Sequence, residues 1–288
     1  MAANSGPVSN LDLFDEARQR AVPVTLYEAR GVSLGWILFS VGFGGTREGY
    51  AYLGRAWSEV GFQVAVVEHV GSNLAKLKEL QFPGMRQHQL AEAVSQRVRD
   101  EEELVARPLD LDFVRRQLCP DQAWVGLGGH SFGSYTCLAT LGAEAQLPGG
   151  ARRFDFGWKW QGAVLMSVQP PWDSARGEAT GLSMFSRQAF SQLEVPIMMV
   201  TGTRDSGLPT GVDYLERLQS FRALRGGIHH SAVIGKADHM SFAGVGIAVD
   251  SVITTVAALT QSFWLALVQG NEPQWPESLP LEVEFERA

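Results

Sequence analysis

A serine between two glycines, Gly129-His130-Ser131-Phe132-Gly133, closes the apolar run Trp124-Val125-Gly126-Leu127-Gly128 and opens the helical pattern Ser134 to Leu141. Gly-x-Ser-x-Gly at a strand-to-helix junction is a spacing suited to a nucleophile. The glycines tolerate the close backbone approach of a sharp turn, and the strain of that turn pushes the hydroxyl of Ser131 outward. At a helix N-terminus the local dipole favours negative charge.

A serine hydroxyl becomes an effective nucleophile beside a base, and the base needs an orienting acid. In a strand-turn-helix arrangement of this kind the expected chain order is serine, acid, histidine. The apolar strand Val195 to Val200 runs into Thr201-Gly202-Thr203-Arg204-Asp205, which places Asp205 at a strand tip. The strand His230 to Ile234 leads into Gly235-Lys236-Ala237-Asp238-His239 and puts His239 on the following loop. His239 would take the Ser131 proton as Oγ attacks a carbonyl carbon, then return it to the leaving group; Asp205 would hold the imidazole tautomer and stabilise the imidazolium. Asp238 is a rival acid, but a residue directly before the histidine points poorly toward that histidine's own Nδ1. Asp173 is a third candidate.

Attack on a carbonyl creates an oxyanion, which needs donors where the charge develops. The backbone N–H of Phe132 is one expected donor. The other is the N–H of Phe43 in the glycine-rich Gly42-Phe43-Gly44-Gly45, with the glycines shaping the loop. Among the remaining histidines, His130 reads as a packing or supporting residue, while His69, His229 and His230 occupy strand or strand-end positions without an evident partner. His88 lies in a polar helical stretch. No histidine, cysteine or carboxylate spacing reads as a metal site, and no cofactor is expected. Cys119 and Cys137 have no redox spacing, and Cys137 reads as a small buried thiol.

The elements that would position these residues alternate between β-rich and helical patterns, the signature of a mostly parallel central sheet with helices on both faces. Val22 to Tyr27, Trp36 to Val41, Phe62 to Val67, a strand from about Ala123, Gly162 to Ser167, Val195 to Val200 and His230 to Ile234 read as strands. Helices are expected over Tyr50 to Val60, over Pro108 to Leu118, after the serine turn, and from about Val245 to Val268, where Ile247, Val252, Val256, Leu259 and Phe263 share a face. Two segments interrupt the alternation. Residues 144–160 are aromatic-rich, and residues 170–190 leave a strand end, where an open sheet places its ligand crevice; both are candidates for a lid or pocket wall. With no repeat or linker, residues 1–288 read as one domain.

The 288 residues suffice for a large buried core, and 19% charged with 45% hydrophobic residues is an ordinary globular balance. A net charge of −7 without basic runs argues against nucleic-acid binding. Apolar runs such as Ile197 to Val200 are of strand length, so no membrane span is expected. The start Met-Ala-Ala-Asn-Ser-Gly-Pro has neither the charged nor the apolar region of a signal peptide, so a cytoplasmic location is expected.

Taken together, the chain resembles the α/β-hydrolase superfamily and, within it, dienelactone-hydrolase-like and platelet-activating-factor-acetylhydrolase-like esterases. The resemblance is carried by Asp15 to Arg20 leading into Val22-Pro23-Val24, by Gly42 to Glu48, Glu68 to Ser72, the serine turn, Thr201 to Asp205, and Ala237 to Phe242. It implies an α/β-hydrolase fold and a cofactor-independent hydrolase of a small-molecule or lipid-like ester. Related sequences often have histidine directly before the glycine loop, where this chain has Val41. Dienelactone hydrolases proper use a cysteine nucleophile, so Ser131 points to the serine esterases. Two other functions use the same residues or scaffold: acyl transfer through the same triad, and a non-catalytic binding protein. The residues after Val268, with Trp275 and the Leu281 to Phe285 segment, can pack on the domain or meet a partner.

Overall fold

The computed structural model describes residues 6–206, 211–246 and 249–288. In chain order it comprises β1 (Val8–Asp15), β2 (Arg20–Tyr27), β3 (Gly35–Ser40), α1 (Ala51–Glu59), β4 (Phe62–Val67), α2 (Leu74–Glu79), α3 (Gln87–Arg97) and α4 (Glu101–Leu118). There follow β5 (Val125–His130), α5 (Phe132–Thr140), the hairpin β6 (Ala145–Leu147) and β7 (Gly150–Arg152), β8 (Ala163–Met166), α6 (Ala175–Thr180) and α7 (Arg187–Ser191). The chain ends with β9 (Ile197–Arg204), α8 (Tyr214–Phe221), β10 (His229–Asp238), α9 (Val249–Gln269) and β11 (Val283–Arg287).

Nine strands form one sheet in the order β1-β2-β4-β3-β5-β8-β9-β10-β11. The six from β4 to β10 run parallel, while β1, β2 and β11 pair antiparallel at the two edges. The central strands read as unbroken apolar runs because both faces are covered. Alternate residues divide between two cores. Leu38, Val67, Leu127, Leu165 and Met199 meet α4, α5 and α8 on one face. Ile37, Phe39, Val66, Val164 and Met198 meet α1 and α9 on the other. Trp57 of α1 donates through Nε1 to Thr260 Oγ1 of α9 at 2.9 Å, which ties the second layer together.

Several boundaries differ from the sequence reading. Helix α4 starts seven residues before Pro108, at Glu101, where the Asp100 carboxylate accepts the Glu102 N–H at 3.0 Å and three glutamates fill the first turn. Proline inside a helix removes the donor for the carbonyl four residues earlier. That carbonyl, on Leu104, instead accepts the Tyr135 hydroxyl of α5 at 2.9 Å, so the interior proline leaves no buried acceptor unpaired. Strands β1 and β11 extend the sheet beyond the first and last expected strands. The 281–285 region therefore belongs largely to an edge strand of the sheet.

The closing helix begins at Val249, and Ile247 lies outside the described residues. It is 21 residues long and contains an 18-residue stretch of mean hydropathy 1.6, long and apolar enough to cross a bilayer by length and composition, which corrects the expectation that apolar runs are only strand-length. Val252, Val256, Leu259, Phe263 and Trp264 are buried against the sheet and α1, the packing of a core helix.

Candidate active site

Ser131 sits between β5 and α5 with φ 56° and ψ −116°, in the left-handed half of backbone space that non-glycine residues avoid. Glycines make the turn possible. A Cβ on Gly133 would lie 1.9 Å from the Ser40 carbonyl oxygen, and one on Gly129 would lie 2.4 Å from that of Gly133. The Ser131 N–H donates to the Met166 carbonyl at 2.9 Å, pinning the turn to β8. Ser134 Oγ lies within hydrogen-bonding distance of the carbonyls of Gly129 and Met166, at 3.0 and 2.7 Å. Two other positive-φ residues stand nearby, Tyr50 at φ 58° and Ser167 at φ 57°, so strained backbone gathers around this turn.

The three polar residues expected from the sequence meet here. Ser131 Oγ lies 3.0 Å from His239 Nε2, and His239 Nδ1 lies 2.8 Å from Asp205 Oδ1. With Nδ1–H donating to the carboxylate, Nε2 is free to accept the serine proton. Asp205 is fully buried; its other oxygen accepts Thr201 Oγ1 at 2.9 Å, and Arg217 Nε stands 3.3 Å from Oδ1. Burial alone would raise the Asp205 pKa. The Arg217 charge, His239 and the hydrogen bonds to its carboxylate outweigh that and hold it well below the usual carboxylate range. Arg217 is itself fixed by donating to the carbonyls of Asp205, Ser167 and Val168 at 3.0 to 3.2 Å.

The rival acids are engaged elsewhere. Asp238 accepts the Ser241 N–H at 2.8 Å, and Asp173 accepts the Arg187 N–H at 3.0 Å. His130 packs beneath His239 with ring centroids 4.8 Å apart, and its Nδ1 lies 2.7 Å from the Tyr50 hydroxyl.

Phe43 and Phe132 line the same cavity as Ser131 and His239. Neither N–H has a hydrogen-bond acceptor among the described residues. For Phe132, the first residue of α5, this follows from helix geometry, which leaves the first N–H groups without internal partners.

The cavity holds about 460 Å³. Phe132, Tyr135, Met184, Phe185 and Phe190 line it together with Leu74, Leu77, Leu90, Val94 and Val98. Pro170, Leu182, Met184, Phe185 and Phe190 bring the 170–190 segment into the lining. The 144–160 segment contributes no lining residue and packs elsewhere, with Trp158 Nε1 donating to Asp112 of α4 at 2.7 Å. The sequence reading does not place Leu74 and Leu77 of α2 or Leu90 and Val94 of α3 at the cavity. Their signal is the leucine and valine spacing within a stretch that is otherwise polar. Among the described residues no group of three or more His, Cys, Asp or Glu side chains is placed to hold a metal ion.

Among solved structures, a ferulic acid esterase from Streptomyces cinnamoneus superposes over 99% of this chain and 97% of its own, with a TM-score of 0.61 at 18% identity. The chain has the α/β-hydrolase fold. An acylaminoacyl peptidase from Pyrococcus horikoshii matches 96% of this chain with 44% of its own, with a TM-score of 0.58 at 11% identity. A dienelactone hydrolase from Anabaena variabilis matches 87% of this chain and 95% of its own at 15% identity, with a TM-score of 0.47. No protein-family model and no curated protein matches the sequence. In this fold the C-terminal ends of the parallel strands carry the ligand crevice, and Ser131, Asp205 and His239 all follow such ends.

His69, for which the sequence offered no partner, is fully buried with two. Its Nδ1–H donates to Asp110 Oδ2 at 2.9 Å, and Nε2 accepts Ser40 Oγ at 2.9 Å. Burial, with the Arg107 charge beside it, pushes its pKa down to about 3. Burial, with His239 nearby, pushes that of His130 well below the ordinary value. Both stay neutral in the fold at pH values where the unfolded chain takes up protons, from about 6.5 downward. The unfolded state then binds more protons, so stability falls as pH drops below about 6.5. At pH 5 His69 contributes a loss of about 2 kcal/mol, and His130 adds to it in the same direction. Urea unfolding at pH 7.5 and pH 5.0 measures this, and equal stabilities at the two pH values would contradict the neutral-histidine account.

Proposed function

We propose that this protein is a serine hydrolase that cleaves an uncharged, apolar carboxylic ester through an acyl-enzyme. The observation that carries the reading is the continuous relay from Ser131 Oγ through the His239 ring to the buried Asp205 carboxylate, opening into an apolar cavity. Ser131 Oγ attacks the ester carbon as its proton passes to His239 Nε2. The oxyanion takes the N–H groups of Phe43 and Phe132, and collapse expels the alcohol, which receives the proton from His239. Water activated by His239 then releases the acid and frees Ser131. The esterase activity named for the Streptomyces cinnamoneus neighbour agrees with this class of reaction.

The substrate class follows from the lining. Among the described lining residues Arg217 is the only arginine, lysine, aspartate or glutamate; Asp205 and three carbonyls hold its Nε and Nη1, and its Nη2 is buried out of reach of the cavity's solvent. A substrate carboxylate or ammonium entering the cavity would lose water without gaining a counter-ion. For p-nitrophenyl esters we expect kcat/KM to rise about fourfold per added methylene from acetate upward until the cavity is filled, since each buried methylene is worth about 0.8 kcal/mol. A flat series, or a preference for a hemisuccinate ester, would overturn the substrate assignment. Adding a competing alcohol separates hydrolysis from acyl transfer, and free acid is expected as the main product.

A further inference from the structure

The glycine loop that carries the Phe43 N–H begins at Val41, whose aliphatic side chain can hold nothing by hydrogen bonding. Its carbonyl is held instead. Arg107, fully buried in the middle of α4, donates through Nη2 to the Val41 carbonyl and to Ser40 Oγ, the latter at 3.2 Å. Through Nη1 it donates to Ser72 Oγ at 2.6 Å, and through Nε to Thr136 Oγ1 at 2.8 Å. Its guanidinium carbon stands 4.2 Å from the centre of the Phe132 ring.

These contacts converge on the two segments that bear the unpaired N–H groups. Ser72, gripped by Arg107, accepts the Gly44 N–H on its carbonyl at 2.7 Å, so the loop is held on both sides of Phe43. Thr136 passes the hold to α5, because its hydroxyl donates to the Phe132 carbonyl at 3.0 Å. Behind Arg107 two buried carboxylates, Glu103 and Asp110, are held by further arginines. Ser72 Oγ donates to Glu103 at 2.7 Å, Glu103 and Asp110 take Arg20 at 3.0 Å, and Asp110 also takes Arg18 at 2.8 Å. Such a network is stiff because removing any member strands buried charge.

We infer that Arg107 is a positioning residue for the oxyanion site, clamping the Phe43 loop and the Phe132 helix turn to one rigid cation so that both N–H groups keep their spacing. It touches neither the substrate nor Ser131. Displacement of reacting or stabilising groups by about 1 Å is enough to reduce a rate a hundredfold.

The inference rests on Ser131 acting as the nucleophile, and the test separates the two ideas. An alkyl trifluoromethyl ketone accepts Ser131 Oγ at its carbonyl carbon while the proton goes to His239, and the resulting oxyanion occupies the same two donors. Folded Arg107→Lys is expected to lower kcat roughly 10- to 100-fold, less than outright loss of a donor. KM should stay within about threefold, and the ketone should bind more weakly by the same factor as kcat falls. Should Arg107→Lys fail to fold, the isosteric Thr136→Val tests the same clamp, with parallel losses in kcat and ketone affinity of about three- to tenfold. Unchanged kcat per folded molecule, or a fall in kcat without a matching fall in ketone affinity, overturns the positioning role while leaving the nucleophile intact. Wild type that neither turns over esters nor labels with a fluorophosphonate overturns the nucleophile itself, and the inference with it.

Discussion

Ser131→Ala is expected to reduce kcat by about five to six orders of magnitude while the protein folds normally, because members of a nucleophile-base-acid relay fail as a unit. Only the oxygen is removed. The strained backbone is held by neighbours, the Met166 carbonyl on one side and the Gly133 approach to Ser40 on the other, and neither involves Oγ. The cavity walls are untouched, so substrate binding should change little. Labelling by a fluorophosphonate should vanish with the activity. Replacement by glycine sharpens the test. At φ 56° and ψ −116° a serine is strained, whereas glycine meets the mirror image of an ordinary extended conformation. Ser131→Gly should therefore be as inactive as alanine but more stable than wild type by about 1 kcal/mol, after allowing for glycine's greater unfolded-state freedom. Thermal unfolding of the three proteins, with activity measured alongside, decides it. A Ser131→Ala protein that retains more than about a thousandth of wild-type activity would remove Ser131 from the nucleophile role.

The parts of this site that were legible in the sequence are those enforced by local backbone physics. Ser131 was visible because a tight turn demands glycines at fixed offsets, and Asp205 and His239 because each follows an apolar strand in a set chain order. The parts that were not legible act across distance. Arg107 and Arg217 look like ordinary helical arginines in sequence, and nothing local marks them as buried. Their meaning comes from what α4 and α8 pack against. His69 appeared solitary because its partner Asp110 lies 41 positions away. Pro108 reads as a helix start because proline suits that position, while the hydroxyl that lets it sit inside α4 belongs to Tyr135 on another helix. The edge strand β1 did carry a local signal, the alternation around Leu11 and Leu13, but one flanked by polar residues and easily passed over beside the apolar run of β2.

Asp205→Asn is expected to lower kcat by about four orders of magnitude, with losses in stability that have a separate origin. The side chain keeps its size, so Thr201 and Arg217 still have a neighbour. The amide can, however, present its NH₂ to His239 Nδ1, which then becomes an acceptor, and the proton moves to Nε2. In that tautomer the ring cannot accept the Ser131 proton. The second consequence is electrostatic. Arg217 is 2% exposed, and Asp205 is the only carboxylate within salt-bridge distance of its guanidinium among the described residues. Removing that charge leaves a buried cation without its counter-ion, and breaking such a pair costs about 3 to 5 kcal/mol. The two effects can be told apart by measuring kcat well below the variant's unfolding transition, where every molecule is folded. Asp238→Asn supplies the contrast. It alters the turn that closes on Ser241 but leaves the carboxylate at His239 Nδ1 in place, so it should change kcat by no more than about tenfold. Were Asp238→Asn the more damaging of the two, the acid of the relay would have to be reassigned.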